Sequence, residues 1–296
     1  MLRRNLTFFS RFQEAYELAN DSVTLCRCLV LEDSESYTPT LARSLHNLNA
    51  SISNLCRHYD ALPVIEESVE LWRKLVAVHP ASHTSNLALS LQNLQISLNN
   101  LGRHSEALPV IEKSVKLWCG LVADHPTPHM PKLARSLHDF RTSLDNLGRH
   151  PDALVAIEDS VKFWRKLADT YPTSYTPDLA RSLQDLKVSL NKLGRHSEAL
   201  PVIEESVDLW RELAADHPTA YTPNLARSLQ NLKVSLDNLA HHSEARQAIE
   251  ESVRLWRELV AIHPICYTPE LARSLYSLGC SFDKLGRYGE AVPFIQ

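Results

Sequence analysis

The stretch LGRHSEALPVIE occupies residues 101–112, and LGRHSEALPVIEESVDLW returns at residues 193–210. A dozen residues spelt twice in one chain of 296 point to an internal repeat, and the tryptophans give its length. Trp72, Trp118, Trp164, Trp210 and Trp256 follow one another at a constant step of 46 residues. LARSL begins at Leu41, Leu133, Leu179, Leu225 and Leu271, and LALSL fills the remaining slot at Leu87. A fixed step of this size marks one supersecondary unit that cannot bury its apolar face alone and must stack on its neighbours. The spacing predicts five complete copies over residues 37–266, a degenerate half-copy over 1–36 and a truncated copy over 267–296, together one domain.

Each copy carries two helical patterns. Leu41, Leu45, Leu48, Ile52 and Leu55 step by the four and three residues of one apolar helical face, which defines helix A. Pro39, Pro131, Pro177, Pro223 and Pro269 are expected to stand in its first turn, behind a capping threonine where one is present. Gly102, Gly148, Gly194 and Gly286 supply the left-handed residue that ends it. Helix B follows, with Ser105 and Ser197 as expected caps, Glu106 and Glu198 near the positive end of its dipole, and Ile111, Val115, Trp118 and Val122 on its buried stripe. A second set, Pro80, Pro126, Pro172, Pro218 and Pro264, is expected to close helix B before a short loop. Pro63, Pro109, Pro201 and Pro293 fall early in helix B, where a distorted first turn is expected.

With 44% hydrophobic residues the chain has ample material for a core, and 35 acids against 31 bases leave a formal charge of only −4. No net field of that size draws it to nucleic acid or anionic lipid, so neither is an expected partner. No apolar run reaches the roughly 20 residues of a membrane span, and MLRRNLTFFSRF lacks a signal-peptide core, so a soluble, cytoplasmic protein is expected. Cys26, Cys28, Cys56, Cys119, Cys266 and Cys280 share no spacing between copies, which speaks against disulfides and zinc. The turn histidines His58, His104, His150, His196, His241 and His242 belong to successive hairpins. Hairpins about 8 to 10 Å apart hold their equivalent residues too far from one another to share an ion. No metal and no cofactor are expected.

The turn LGRHSEAL, and above all LGRYGEAV at residues 285–292, resembles the signature of the tetratricopeptide repeat, with Ala61, Ala107, Ala153, Ala199, Ala245 and Ala291 at the small position early in helix B. Residues 271–295 match it most closely, in a style similar to the long repeats of kinesin light chain-like and fungal proteins. The resemblance implies an all-α, right-handed solenoid of helical hairpins whose helix A faces line a concave groove for peptides. Two departures stand beside it. The step of 46 exceeds the family's usual 34, and the small residue within helix A, kept as Gly279, is replaced by Asn49, Gln95, Arg141, Lys187 and Lys233, which predicts slightly wider helix pairs.

Removing the apolar stripe from helix A leaves polar rows: Arg43, Arg135, Arg181, Arg227 and Arg273; then Asn47, Asn93, Asp139, Asp185 and Asn231; then Asn54, Asn100, Asn146 and Asn238. Asparagine can hold a peptide backbone through a donor and an acceptor, and arginine presents a forked donor to carboxylates. The expected function is a non-catalytic scaffold for a peptide or acidic segment, unless each arginine pairs with a neighbouring acid on a solvated face. Two alternatives stand: a regulatory or sensor array that docks on an ATPase or effector domain outside this chain, and a structural rod that self-associates end to end. Catalysis is not expected. The seven glycines form no phosphate loop, and serines that recur in every copy fit packing positions better than one activated nucleophile.

Overall fold

The computed structural model describes residues 2–284, and among them it contains helices and no strand. The chain divides into two compact units, Met1–Arg149 and His150–Gln296. The first holds α1 (Leu2–Glu32), α2 (Ser34–Asn54), α3 (His58–Val78), α4 (Pro80–Asn100), α5 (His104–Asp124) and α6 (Pro126–Asn146). The second holds α7 (His150–Thr170), α8 (Pro172–Lys192), α9 (His196–Asp216), α10 (Pro218–Asn238), α11 (His242–Ile262) and α12 (Pro264–Lys284). Within each unit every helix packs against the next in sequence, the arrangement of consecutive hairpins.

The turns behave as their glycines require. Gly102, Gly148 and Gly194 adopt φ of +72°, +72° and +71°. Around Gly102 the Arg103 amide donates to the Leu98 carbonyl at 2.9 Å and the Gly102 amide donates to the Asn99 carbonyl at 3.0 Å, the paired bonds of a Schellman turn. Where a copy lacks the glycine, Cys56 and Ala240 occupy the same left-handed slot at φ 58° and 62°. Gly286, Ala291, Pro293 and the turn at 285–292 lie outside the described residues.

Three boundary expectations need correction. Helix A begins at Pro80, Pro126, Pro172, Pro218 and Pro264, so the proline expected to end helix B instead occupies the first turn of the next helix A. A single residue, such as His79 or His125, separates the two helices. The proline ring fits there because the first helical amides have no intrahelical acceptor. Pro131, Pro177, Pro223 and Pro269 are therefore interior, as is Pro39 in α2, which Asp33 caps by accepting from the Ser36 amide at 3.1 Å. The extra turn is held from below: Trp72 packs on His83 with ring centroids 5.6 Å apart, Trp118 on His129 at 5.9 Å and Trp210 on Tyr221 at 5.8 Å. Ser105 and Ser197 do not cap helix B. It starts one residue earlier, at His104 and His196, and Arg103 Nε contacts Glu106 Oε1 at 2.7 Å across the helix start. Helix B also runs unbroken through Pro63, Pro109 and Pro201.

The core repeats its contacts because the sequence repeats its words. Ala61, Ala107, Ala153, Ala199 and Ala245 are fully buried where the two helices of a hairpin meet. One helix face on, the serine of helix B donates to the alanine carbonyl of LARSL or LALSL: Ser68 to Ala42, Ser114 to Ala88, Ser206 to Ala180 and Ser252 to Ala226, each at 2.8 Å. These serines are buried and bonded to backbone, so recurrence reflects helix zipping. The tryptophans complete the layers, with Trp72, Trp118, Trp210 and Trp256 at most 2% exposed.

The polar residues that replace the small one in helix A are accommodated by hydrogen bonds. Asn49 donates to the Ala61 carbonyl at 3.0 Å and to Ser97 Oγ at 3.1 Å, and Gln95 donates to Ser143 Oγ at 2.9 Å. Arg141 and Lys233 are buried against Asp145 and Asp237, each at 2.8 Å.

Candidate functional site

Helix A places the polar rows on one side because residues four apart share a face. In the first unit Arg43, Asn47 and Asn54 of α2, Asn100 of α4 and Arg135 and Asn146 of α6 are exposed, whereas Asn93 and Asp139 are half-buried. In the second unit Arg181, Arg227, Asn238 and Arg273 are exposed, and Asp185 and Asn231 are half-buried.

The arginines differ in what surrounds them. Arg181 lies 3.3 Å from Asp178, and Arg227 and Arg273 converge on Glu270 at 4.0 and 3.0 Å. Arg43 and Arg135 make no ion pair among the described residues. The second unit's arginines thus stand in exposed ion pairs, whereas Arg43 and Arg135 form none among the described residues. The copy between Arg43 and Arg135 has Leu89 in the arginine slot.

Two members of the rows, Arg43 and Asn47, line one cavity of about 230 Å³ together with His46, Trp72, Asn86, Leu89 and Ser90. It opens between α2 and α4, and Trp72 from α3 reaches it from beneath. His46 bridges the two helices. Its Nε2 accepts from Asn93 Nδ2 at 3.0 Å, and its Nδ1 lies 3.3 Å from Ser90 Oγ. Burial holds the His46 pKa below the ordinary histidine value. One row member, Asn93, is therefore engaged within the protein. Asn146 and Asn238 also face turn histidines, His104 at 3.4 Å and His196 at 3.5 Å. Those histidines in turn contact Asn99 and Asn191 at 3.0 Å, and His242 contacts Asp237 at 3.1 Å. The turn histidines tie helix A to helix B.

Farther along the first unit, Gln92 links two layers. Its Oε1 accepts from Trp118 Nε1 at 3.2 Å and its Nε2 donates to Asp139 Oδ2 at 3.1 Å. Burial raises the Asp139 pKa above the ordinary carboxylate range, against the opposing pull of His138, the Gln92 bond, Arg135 and Arg141.

Sequence reasoning missed His46, Trp72, Asn86, Leu89 and Ser90 as cavity residues. Two features of the sequence mark them: Leu89 interrupts the LARSL arginine row, and His46, like His138, stands where Gln92, Gln184 and Gln230 stand in other copies. The cavity depends on distances between helices, which no local pattern encodes. Among the described residues no cluster of three or more metal-binding side chains occurs, and no helix is long and apolar enough to cross a membrane.

A family model described as Anaphase-promoting complex subunit 5 matches residues 37–118 and 133–262, and a Tetratricopeptide repeat model matches residues 272–296. No curated protein sequence matches. Among solved structures, BtubC from P. vanneervenii is similar with a TM-score of 0.68 at 14% identity, over 84% of this chain and 92% of that one. A kinesin light chain-like protein of nearly identical TPR-like repeats from Podosopora anserina gives 0.59 at 19% identity, over 73% and 95%. Aspartyl phosphate phosphatase F from Bacillus subtilis gives 0.57 at 9% identity, over 91% and 73%. At these identities the likeness is one of fold: consecutive tetratricopeptide-like helical hairpins, an architecture generally used for protein-interaction scaffolds.

Proposed function

This chain belongs to the Anaphase-promoting complex subunit 5 family and carries tetratricopeptide-type repeats, and from that premise we propose that it is a non-catalytic scaffold that binds an acidic peptide segment along the helix A face of its first unit. The observation that carries this reading is the open charge of Arg43 and Arg135, set beside second-unit arginines that their own acids already occupy. An open guanidinium offers a forked donor set to an incoming carboxylate without first breaking an internal pair. Asn47 and Asn54 of α2 and Asn100 of α4, all exposed, supply donors and acceptors to an extended backbone. A rigid stack holds these groups in register, which lowers the entropic cost of multipoint docking. The family name describes a complex subunit, and presenting a fixed surface to other proteins suits such a role.

The test is a displayed-peptide selection on the wild-type chain and on Arg43→Glu/Arg135→Glu, with circular dichroism confirming that both fold. Acid-rich peptides that bind the wild type, weaken with salt and are lost in the double variant are expected. Retention of the same peptides by the double variant would sink the reading, and Arg181→Glu/Arg227→Glu serves as the comparison in the second unit.

A further inference from the structure

We infer that α8 and α10 hold one small inorganic anion, of the chemical class of chloride, among the Lys187 ammonium, the Asn191 side-chain amide and the Ser235 hydroxyl. This site lies in the second unit and is independent of the peptide groove.

Equivalent positions in the two units differ in what they leave unsatisfied. In the first unit Gln95 and Asn99 of α4 both donate to Ser143 Oγ of α6, at 2.9 and 3.3 Å. Two repeat steps of 46 residues later the same three places hold Lys187 and Asn191 of α8 and Ser235 of α10. Here the bonds are missing. Ser235 is 1% exposed, and its Oγ is buried without a hydrogen-bond partner among the described residues. Lys187 is 5% exposed and makes no ion pair or hydrogen bond among them. Asn191 directs its Oδ1 to His196 Nδ1 at 3.0 Å, which leaves its N–H groups without an acceptor there. Three donors, one of them charged, therefore share one place with no acceptor to receive them.

The neighbouring copy shows what such a place lacks. Lys233 of α10 stands where Lys187 stands on α8, and Asp237 receives its ammonium at 2.8 Å and contacts His242 at 3.1 Å. Asn191 takes the place of Asp237, so the α8 copy keeps the buried cation and loses its carboxylate. Burial alone lowers the Lys187 pKa, with no acid opposing the shift. A buried charge is stable only when it is paired, and buried donors favour any acceptor that reaches them. A water molecule accepts a hydrogen bond but leaves the charge unmet, whereas an anion answers both needs. The direct contacts of Gln95 and Asn99 with Ser143 show how closely these three positions approach, which favours a single-atom ion over an oxyanion.

Crystals of the full chain grown in sodium bromide give the direct readout, with bromide standing in for chloride as an anomalous scatterer. The expected result is an anomalous peak in contact with Lys187, Asn191 and Ser235 and none beside the paired Lys233. Density of a water at that place with no anomalous signal overturns the inference. In solution, urea midpoints of wild type, Lys187→Met and Asn191→Asp are compared at constant ionic strength while sodium chloride replaces sodium gluconate, with circular dichroism confirming that each variant folds. Above the dissociation constant, each tenfold rise in chloride should raise the wild-type folding equilibrium constant about tenfold. Neither variant should respond in this way, since one lacks the cation and the other supplies its own carboxylate. The difference between Lys187→Met and wild type is then widest in gluconate and narrows in chloride. Equal responses of all three proteins, or bromide beside Lys233 as well, mean an adventitious ion only and overturn the inference.

Discussion

Lys233 Nζ lies 2.8 Å from Asp237 Oδ2, one turn farther along α10, and both side chains are 9% exposed. Lys187 holds the same position on α8 and is buried as deeply, yet the residue one turn on is Asn191, whose Oδ1 already faces His196 Nδ1 at 3.0 Å. Lys187 makes no ion pair among the described residues.

A buried cation without a counter-charge costs stability. Lys187→Met should therefore raise the urea midpoint, by on the order of 1 kcal/mol of unfolding free energy, and Asn191→Asp, which recreates the Lys233–Asp237–His242 arrangement, should do the same. The pH dependence identifies the cause. Burial lowers the folded-state pKa of Lys187, so in the interval between that value and the ordinary lysine value the unfolded chain binds more protons. Stability contributed by this site then rises with pH. Lys187→Met should remove that alkaline rise, measured as the change of urea midpoint with pH; an unchanged slope would contradict the assignment.

Asp139 predicts the opposite slope. Its folded pKa is raised by burial, so between the ordinary aspartate value and the raised one the folded chain holds more protons, and stability falls as pH increases. Asp139→Asn keeps an oxygen to accept from Gln92 and removes the charge. It should gain about 1 kcal/mol at neutral pH and nothing in acid below the ordinary aspartate value, read from thermal midpoints across the series.

Ala240 occupies the left-handed slot at φ 62° that glycine fills at 102, 148 and 194. Ala240→Gly should stabilise by about 1 kcal/mol, because the Cβ clash of that conformation exceeds the extra chain entropy of glycine. Gly194→Ala should lose a comparable amount although no atom lies within 4 Å of an added Cβ, since the strain is in the backbone. Chemical denaturation of both variants checks the pair.

The tryptophans separate packing from hydrogen bonding. Trp118→Ala should cost about 3 to 5 kcal/mol. Trp118→Phe abandons the bond to Gln92, whereas Trp256→Phe removes an indole N–H that is buried without an acceptor. Trp256→Phe should accordingly be milder by about 1 kcal/mol, and equal losses in the two variants would count against this account.

Much of the architecture was legible in the sequence because its physical causes are local. Gly102 signals a left-handed turn, the Leu41–Ile52 spacing signals a helix face, and the recurring alanine and serine mark close helix contacts that any copy must repeat. The helix start was misread for a local reason as well. Two prolines in each copy are both compatible with a first turn, and the choice of Pro126 over Pro131 is made by the aromatic contact between Trp118 and His129 across two helices.

The repeat, its hairpin character and the rows of arginine and asparagine on helix A are written in the order of residues alone, since periodicity assigns residues to faces. The tertiary structure alone decided which of those residues are available. Arg227 meets Glu270 from another helix A, Asn93 meets His46 across α2 and α4, and Trp72 from α3 lines a cavity between those two helices. Charge and hydrogen-bond pairing fall off within a few ångströms, so a function that depends on unpaired groups is set by distances between helices, which the spacing within a helix does not contain.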